Sequence, residues 1–147
     1  MTSVIDCAGN EVQIRSLKND IEMGLSKEPV VINLLQEYFK EEIKDTKELG
    51  MYCAYDAYSE NTKYEIKSRR CRFETYDTTI IGVHKTKTEG RLVFVFNFVN
   101  GLYYIEYNKE LFSTFVIAPI TVYRKGSRPT PVPHFKIPTY LLKQIVI

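Results

Sequence analysis

Asp56, Glu65 and Lys67 carry side chains suited to chemistry and stand at a spacing that can bring them together. Tyr52 to Tyr58 and Lys63 to Ser68 are runs of strand formers, and the polar cluster Ser59-Glu60-Asn61-Thr62 between them predicts a hairpin turn. With the turn centred between Glu60 and Asn61, Asp56 faces Glu65 and Ala54 faces Lys67. Side chains alternate across a strand, so Glu65 and Lys67 share one face with Asp56, and Tyr64 and Ile66 take the other. Directly opposed Cβ atoms lie about 4.5–5.5 Å apart, a separation at which two carboxylates repel. A hard divalent cation with oxygen ligands, Mg2+ or Mn2+ in its place, removes that repulsion, and the Lys67 ammonium can hold a water or phosphate beside it.

An Asp, a spacer and then Glu-x-Lys on the adjacent strand resembles the active site of the PD-(D/E)xK nuclease superfamily. The resemblance implies that Asp56 and Glu65 bind the metal, that the Ile66 carbonyl assists, and that Lys67 positions the attacking water. Tyr55 stands where the superfamily's name has Pro, a departure that leaves the chemistry intact. A further acidic residue is implied on the preceding helix. Glu28 and Glu37 are its candidates, and the early place of Glu28 in SKEPVVINLL resembles archaeal junction resolvases of the superfamily. An acidic residue there also complements the helix dipole. The implied activity is that of a Mg2+-dependent endodeoxyribonuclease leaving a 5′-phosphate and a 3′-hydroxyl, with no organic cofactor. A second Glu-x-Lys, Glu42-Ile43-Lys44, falls in a helical pattern with no Asp-bearing strand before it and reads as a solvated helix face.

The elements expected to position this hairpin form an α/β fold, a restriction endonuclease-like core with a mixed central sheet flanked by helices. We expect one domain over residues 1–147: an N-terminal extension to residue 25, an αβββαβ-like core over 26–107, and a basic, Pro-rich C-terminal segment over 108–147. Asn10 to Met23 reads as an amphipathic helix stopped by Gly24. Ser26 and Pro29 open a second helix to about Lys44, with Val31, Leu34, Leu35, Tyr38, Phe39 and Ile43 on its core face. Phe73 to Lys87 mixes β-branched residues with a helical stripe, and the resemblance places a short helix there. Arg91–Val99 and Leu102–Tyr107 are strands joined at Asn100-Gly101. Phe94, Phe96 and Phe98 fall on one face and Val93, Val95 and Val99 on the other, as in a central strand covered on both sides. Thr121 to Pro138 holds a glycine and four prolines and reads as an extended loop, and Thr139 to Ile147 as a terminal helix.

Net charge is +2, unevenly spread: residues 1–60 carry 6 Lys/Arg against 12 Asp/Glu, and residues 61–147 carry 14 against 6. Such asymmetry points the later portion at a polyanion, with DNA the expected partner. Arg69, Arg70, Arg72, Lys85, Lys87, Arg124, Lys125 and Arg128 are its candidate phosphate contacts, a role that needs charge more than geometry. A homodimer is the usual way for one metal site per chain to cut two strands, with the Phe/Val-rich hairpin as a candidate surface. A non-catalytic nucleic-acid-binding or interaction module is the alternative. It would keep the basic later half and treat the acidic pair as incidental. No apolar run reaches the roughly eighteen residues of a membrane span, and the first residues lack a signal-peptide layout, so we expect an intracellular protein with no membrane partner. Cys7, Cys53 and Cys71 are too few and scattered for a disulfide framework or a zinc site.

Overall fold

The structure, a computed structural model, describes residues 3–5, 11–13, 17–50 and 53–146, with side chains from residue 28 onward except residue 48. The elements in chain order are β1 (Ser3–Ile5), β2 (Glu11–Gln13), α1 (Leu17–Phe39), β3 (Lys44–Asp45), β4 (Ala57–Tyr58), β5 (Thr62–Ser68), β6 (Thr78–Gly82), β7 (Arg91–Phe98), β8 (Gly101–Glu106), α2 (Lys109–Phe112), β9 (Val116–Val122), β10 (Thr130–Pro138) and β11 (Lys143–Gln144). A six-stranded sheet runs β11-β8-β7-β5-β4-β3, a three-stranded sheet runs β6-β10-β9, and β1 pairs with β2. The six-stranded sheet is mixed: β5 and β7 are parallel, and its other neighbours are antiparallel.

The centre of that sheet is β7, and its two faces divide the core as the alternation predicts. Val93 and Val95 pack with Val31, Leu35 and Tyr64 beneath α1. Phe94, Phe96 and Phe98 pack with Ile81, Phe112, Phe135 and Ile137 on the opposite side. Val99 is the exception, exposed in the turn, because the connection to β8 is centred on Val99-Asn100 with Phe98 paired to Gly101, one residue earlier than expected. The Phe and Val side chains of β7 itself are buried within the chain and form no exposed surface.

Only one face of the large sheet carries a long helix. The second is covered by the small sheet and the short α2, and the expected helix over 73–87 is two 3-10 turns with β6 between them. Thr79, Ile80, Ile81 and Gly82 are buried in succession, which no single helical stripe can achieve, and their β-branched side chains suit an extended chain. The expected loop over 121–138 is also a correction, since β10 is the middle strand of the small sheet. Its prolines are tolerated by position. Pro131 and Pro133 lie where β10 pairs with β9 alone, Pro138 where it pairs with β6 alone, and the two-residue spacing puts the first pair's missing N–H groups on one edge. Residues 139–144 form a 3-10 turn and β11 instead of a terminal helix, with Leu142 and Ile145 buried.

The two expected N-terminal helices are one helix and a strand: residues 11–13 belong to β2, and α1 runs through Gly24 and Pro29. A helix-interior Gly costs about 1 kcal/mol and Pro about 3 kcal/mol relative to Ala. Burying Val31, Ile32 and Leu35 returns about 1.5–3 kcal/mol each, which is the larger sum. The helix ends at Phe39, where Lys40 adopts φ 54°, and not at Lys44. Ile43 still reaches the core, through a turn that Gln36 caps by accepting from the Ile43 N–H at 3.0 Å.

Candidate active site

The β4–β5 hairpin turns where its sequence predicts. Ala57 pairs with Tyr64 and Tyr58 with Lys63, and Ser59 N–H donates to the Thr62 carbonyl at 2.7 Å. Regular pairing stops at Ala57, one residue short of Asp56. There the chain shifts: Asp56 N–H donates to the Tyr64 carbonyl at 2.9 Å, and Asp56 Oδ2 accepts the Ile66 N–H at 2.8 Å. The Asp56 carboxylate thus replaces a backbone acceptor beyond the end of β4. Thr46 fixes its backbone by donating to the Tyr55 and Asp56 carbonyls. Asp56 therefore reaches the β5 backbone side-on, at the edge of the strand, and does not stand squarely opposite Glu65.

Glu65 sits on the face away from α1, flanked on β7 by Phe94, and only 3% of it is exposed. Its Oε1 lies 3.2 Å from Lys67 Nζ and 3.3 Å from Lys85 Nζ. Its Oε2 is buried with no hydrogen-bond partner, an arrangement that costs more than about 1–3 kcal/mol for a charged group. Burial pushes the Glu65 carboxyl above the usual carboxylate range, with Lys67 and Lys85 opposing the rise and Asp56 adding to it. Glu28, half-buried on α1, is raised as well, first by burial and then by Asp56, with Asp45 and Glu65 adding and Lys47 opposing. Three carboxylates from a helix and a hairpin thus act on one another, whereas Glu37 is exposed.

Asp56 and Glu65, the Ile66 carbonyl and the carboxylate of Glu28 are all hard oxygen donors. Among the described residues no group of three or more His, Cys, Asp or Glu side chains closes on a point that could hold a metal. Mg2+ does not need such a cage, since it is commonly bound through one or two carboxylates and keeps several waters. The unpartnered Glu65 Oε2 fits that demand.

The candidate phosphate contacts divide into three. Lys85, far from β5 in sequence, joins Lys67 on Glu65, and nothing in its local sequence singled it out for that place. Arg69 and Arg124 line a cavity beside Lys67, with Arg69 also donating to the Ile80 carbonyl and to Thr79 Oγ1. Arg70, Arg72, Lys87, Lys125 and Arg128 are exposed outside that cavity, Arg72 paired with Glu74. The second Glu-x-Lys is solvated as expected: Glu42 and Lys44 are exposed, though Lys44 lies on β3 and not on the helix. His84 and His134, far apart in sequence and not among the residues singled out there, both line the cavity. No helix among the described residues is long and apolar enough to cross a membrane. Comparison with protein families, with characterised proteins and with solved structures returns no match for the chain.

Proposed function

We propose that this chain is a metal-dependent endonuclease that hydrolyses phosphodiester bonds in DNA, of the PD-(D/E)xK type. The observation that carries the reading is the buried Glu65, held by two ammonium groups on one oxygen, unpartnered on the other, and close enough to Asp56 for their charges to interact. A carboxylate kept so uncomfortably in a core suits a ligand role better than a structural one. The order of α1, β3, β4 and β5, followed by a crossover to the parallel β7, also supports the likeness, with the crossover helix replaced by β6 and its 3-10 turns.

Asp56, Glu65 and the Ile66 carbonyl would hold Mg2+, with Glu28 positioned to bind a metal-borne water. When bound, the ion supplies Lewis-acid polarisation of the phosphate and a more acidic water. Lys67 orients the attacking water, whose oxygen bonds to phosphorus as the bond to O3′ breaks, leaving a 5′-phosphate and a 3′-hydroxyl. Lys85 offsets the charge that gathers on the non-bridging oxygens.

The test is incubation with supercoiled plasmid, branched DNA and RNA in Mg2+, Mn2+ or EDTA. We expect nicking of DNA with either metal, none in EDTA, and a loss of about 10²–10³-fold or more in Asp56→Asn and Lys67→Ala. Asn can still accept the Ile66 N–H, so the fold should survive that change. Cleavage persisting in EDTA or in both variants contradicts the proposal, and retardation without cutting, equal in Asp56→Asn, supports a non-catalytic binding module.

A further inference from the structure

A cavity of about 300 Å³ opens beside Lys67, on the side of β5 that faces the small sheet. Its polar lining comes from four separate segments: Lys67 of β5 with Arg69 just after it, His84 and Lys85 after β6, Arg124 after β9, and His134 of β10. Among the described residues no acidic side chain lines it, and Glu65 meets it only through Lys67 and Lys85. The rest is apolar, with Ile80, Ile81, Val122 and Val132 as walls. Glu65 offsets part of the charge of Lys67 and Lys85, and the positive excess that remains with Arg124 in the walled space favours an anion.

His84 and His134 are placed by the fold. The His84 ring lies against the backbone of Gly82, where a Cβ would come within 2.5 Å of it. His134 Nδ1 lies 2.8 Å from the Val132 carbonyl, which can only accept, so Nδ1 carries the proton and Nε2 is left to gain one.

We propose that this cavity is a second phosphate subsite, which takes the backbone phosphate next to the one cleaved, with His84 and His134 gaining protons as it fills. The inference rests on the nuclease reading for its occupant, but the anion preference stands on the cavity alone. Partial burial holds both histidines below their usual value, His84 being the more exposed of the two. Lys85, His134, Lys67 and Arg124 add to this at His84, and Arg69 and Lys67 at His134, while the Val132 carbonyl opposes it. Among the described residues the carboxylate adjoining this wall is Glu65, which is engaged by Lys67 and Lys85. A dianion in the cavity reverses the balance and draws protons onto both rings.

The chain has only two histidines, so their ring-proton NMR resonances report the cavity directly. The titration is run in EDTA with sulfate, which keeps both charges across the range, against chloride at equal ionic strength. We expect saturable sulfate binding that raises both histidine midpoints by about one pH unit, equivalent to about tenfold tighter binding for each histidine protonated. Arg124→Ala, an exposed position that should not disturb folding, is expected to weaken sulfate several-fold, and Lys109→Ala on α2 to leave it unchanged. Equal shifts with chloride, or an Arg124→Ala response identical to wild type, would overturn the subsite. A short single-stranded oligonucleotide that moves the same resonances identifies a strand phosphate, and a response to a nucleoside monophosphate alone contradicts the proposed occupant. Sulfate binding without cleavage removes the nuclease reading and keeps the cavity, whereas cleavage without sulfate binding does the reverse.

Discussion

Glu65 is a buried acid whose folded environment works against its own charge, and that has a consequence for stability. Its carboxyl is raised above the ordinary value of 4.5, so between that value and the raised one the folded chain binds more protons than the unfolded chain. Stability from this group therefore falls as pH rises through the window and gains as pH drops. Glu65→Gln removes the charge and keeps the shape. In EDTA its melting temperature should match wild type below pH 4.5 and exceed it once the pH has risen through the raised value, because Lys67 and Lys85 are part-exposed and can turn to solvent. Thermal melts of the two proteins across pH check this, and a variant that melts lower at neutral pH would mean that the ion pairs outweigh the burial cost.

At the scale of elements, α1 contains a local conflict that can be measured. Pro29 is exposed within the helix and cannot donate to the preceding turn. Pro29→Ala should stabilise the fold by about 1–3 kcal/mol in chemical denaturation, and no gain would mean that the helix is adapted to the missing bond. Pro29 and Gly24 also explain why the sequence suggests two helices where there is one: both are boundary signals by local propensity, and the apolar face packed on β7 overrides them. The β4–β5 turn was legible because Ser59 to Thr62 carries its own turn chemistry, and β7 because its alternation is uninterrupted. The end of α1 was not, since Ile43 keeps helical spacing while reaching the core through a left-handed turn at Lys40. Nor was the small sheet: β10 holds prolines that read as loop until its neighbours reveal which N–H groups are unneeded. Asp56, Glu65 and Lys67 could be read as a constellation from their spacing, but the side-on approach of Asp56 depends on β4 stopping early, and the place of Lys85 depends on long-range pairing.

Over the whole molecule, the sequence turns from acidic to basic at the hairpin, with Asp56 at the edge of β5, Glu65 buried on it, and Lys67 and Lys85 leading from Glu65 to the cavity. If DNA lies over that basic side, binding by the catalytically inert Asp56→Asn should weaken with salt, and Arg124→Ala should reduce the slope of log K against log salt by about one. Gel retardation over a salt series gives that slope, and a salt-independent affinity would point away from a phosphate-led contact. The central claim is that Asp56 and Glu65 together hold one divalent cation. Its most direct test is a Mn2+ titration of wild type, Asp56→Asn and Glu65→Gln, followed by the relaxation of solvent water. The account predicts a single site in wild type that is lost in both variants. Equal binding in all three, or none in wild type, would contradict it.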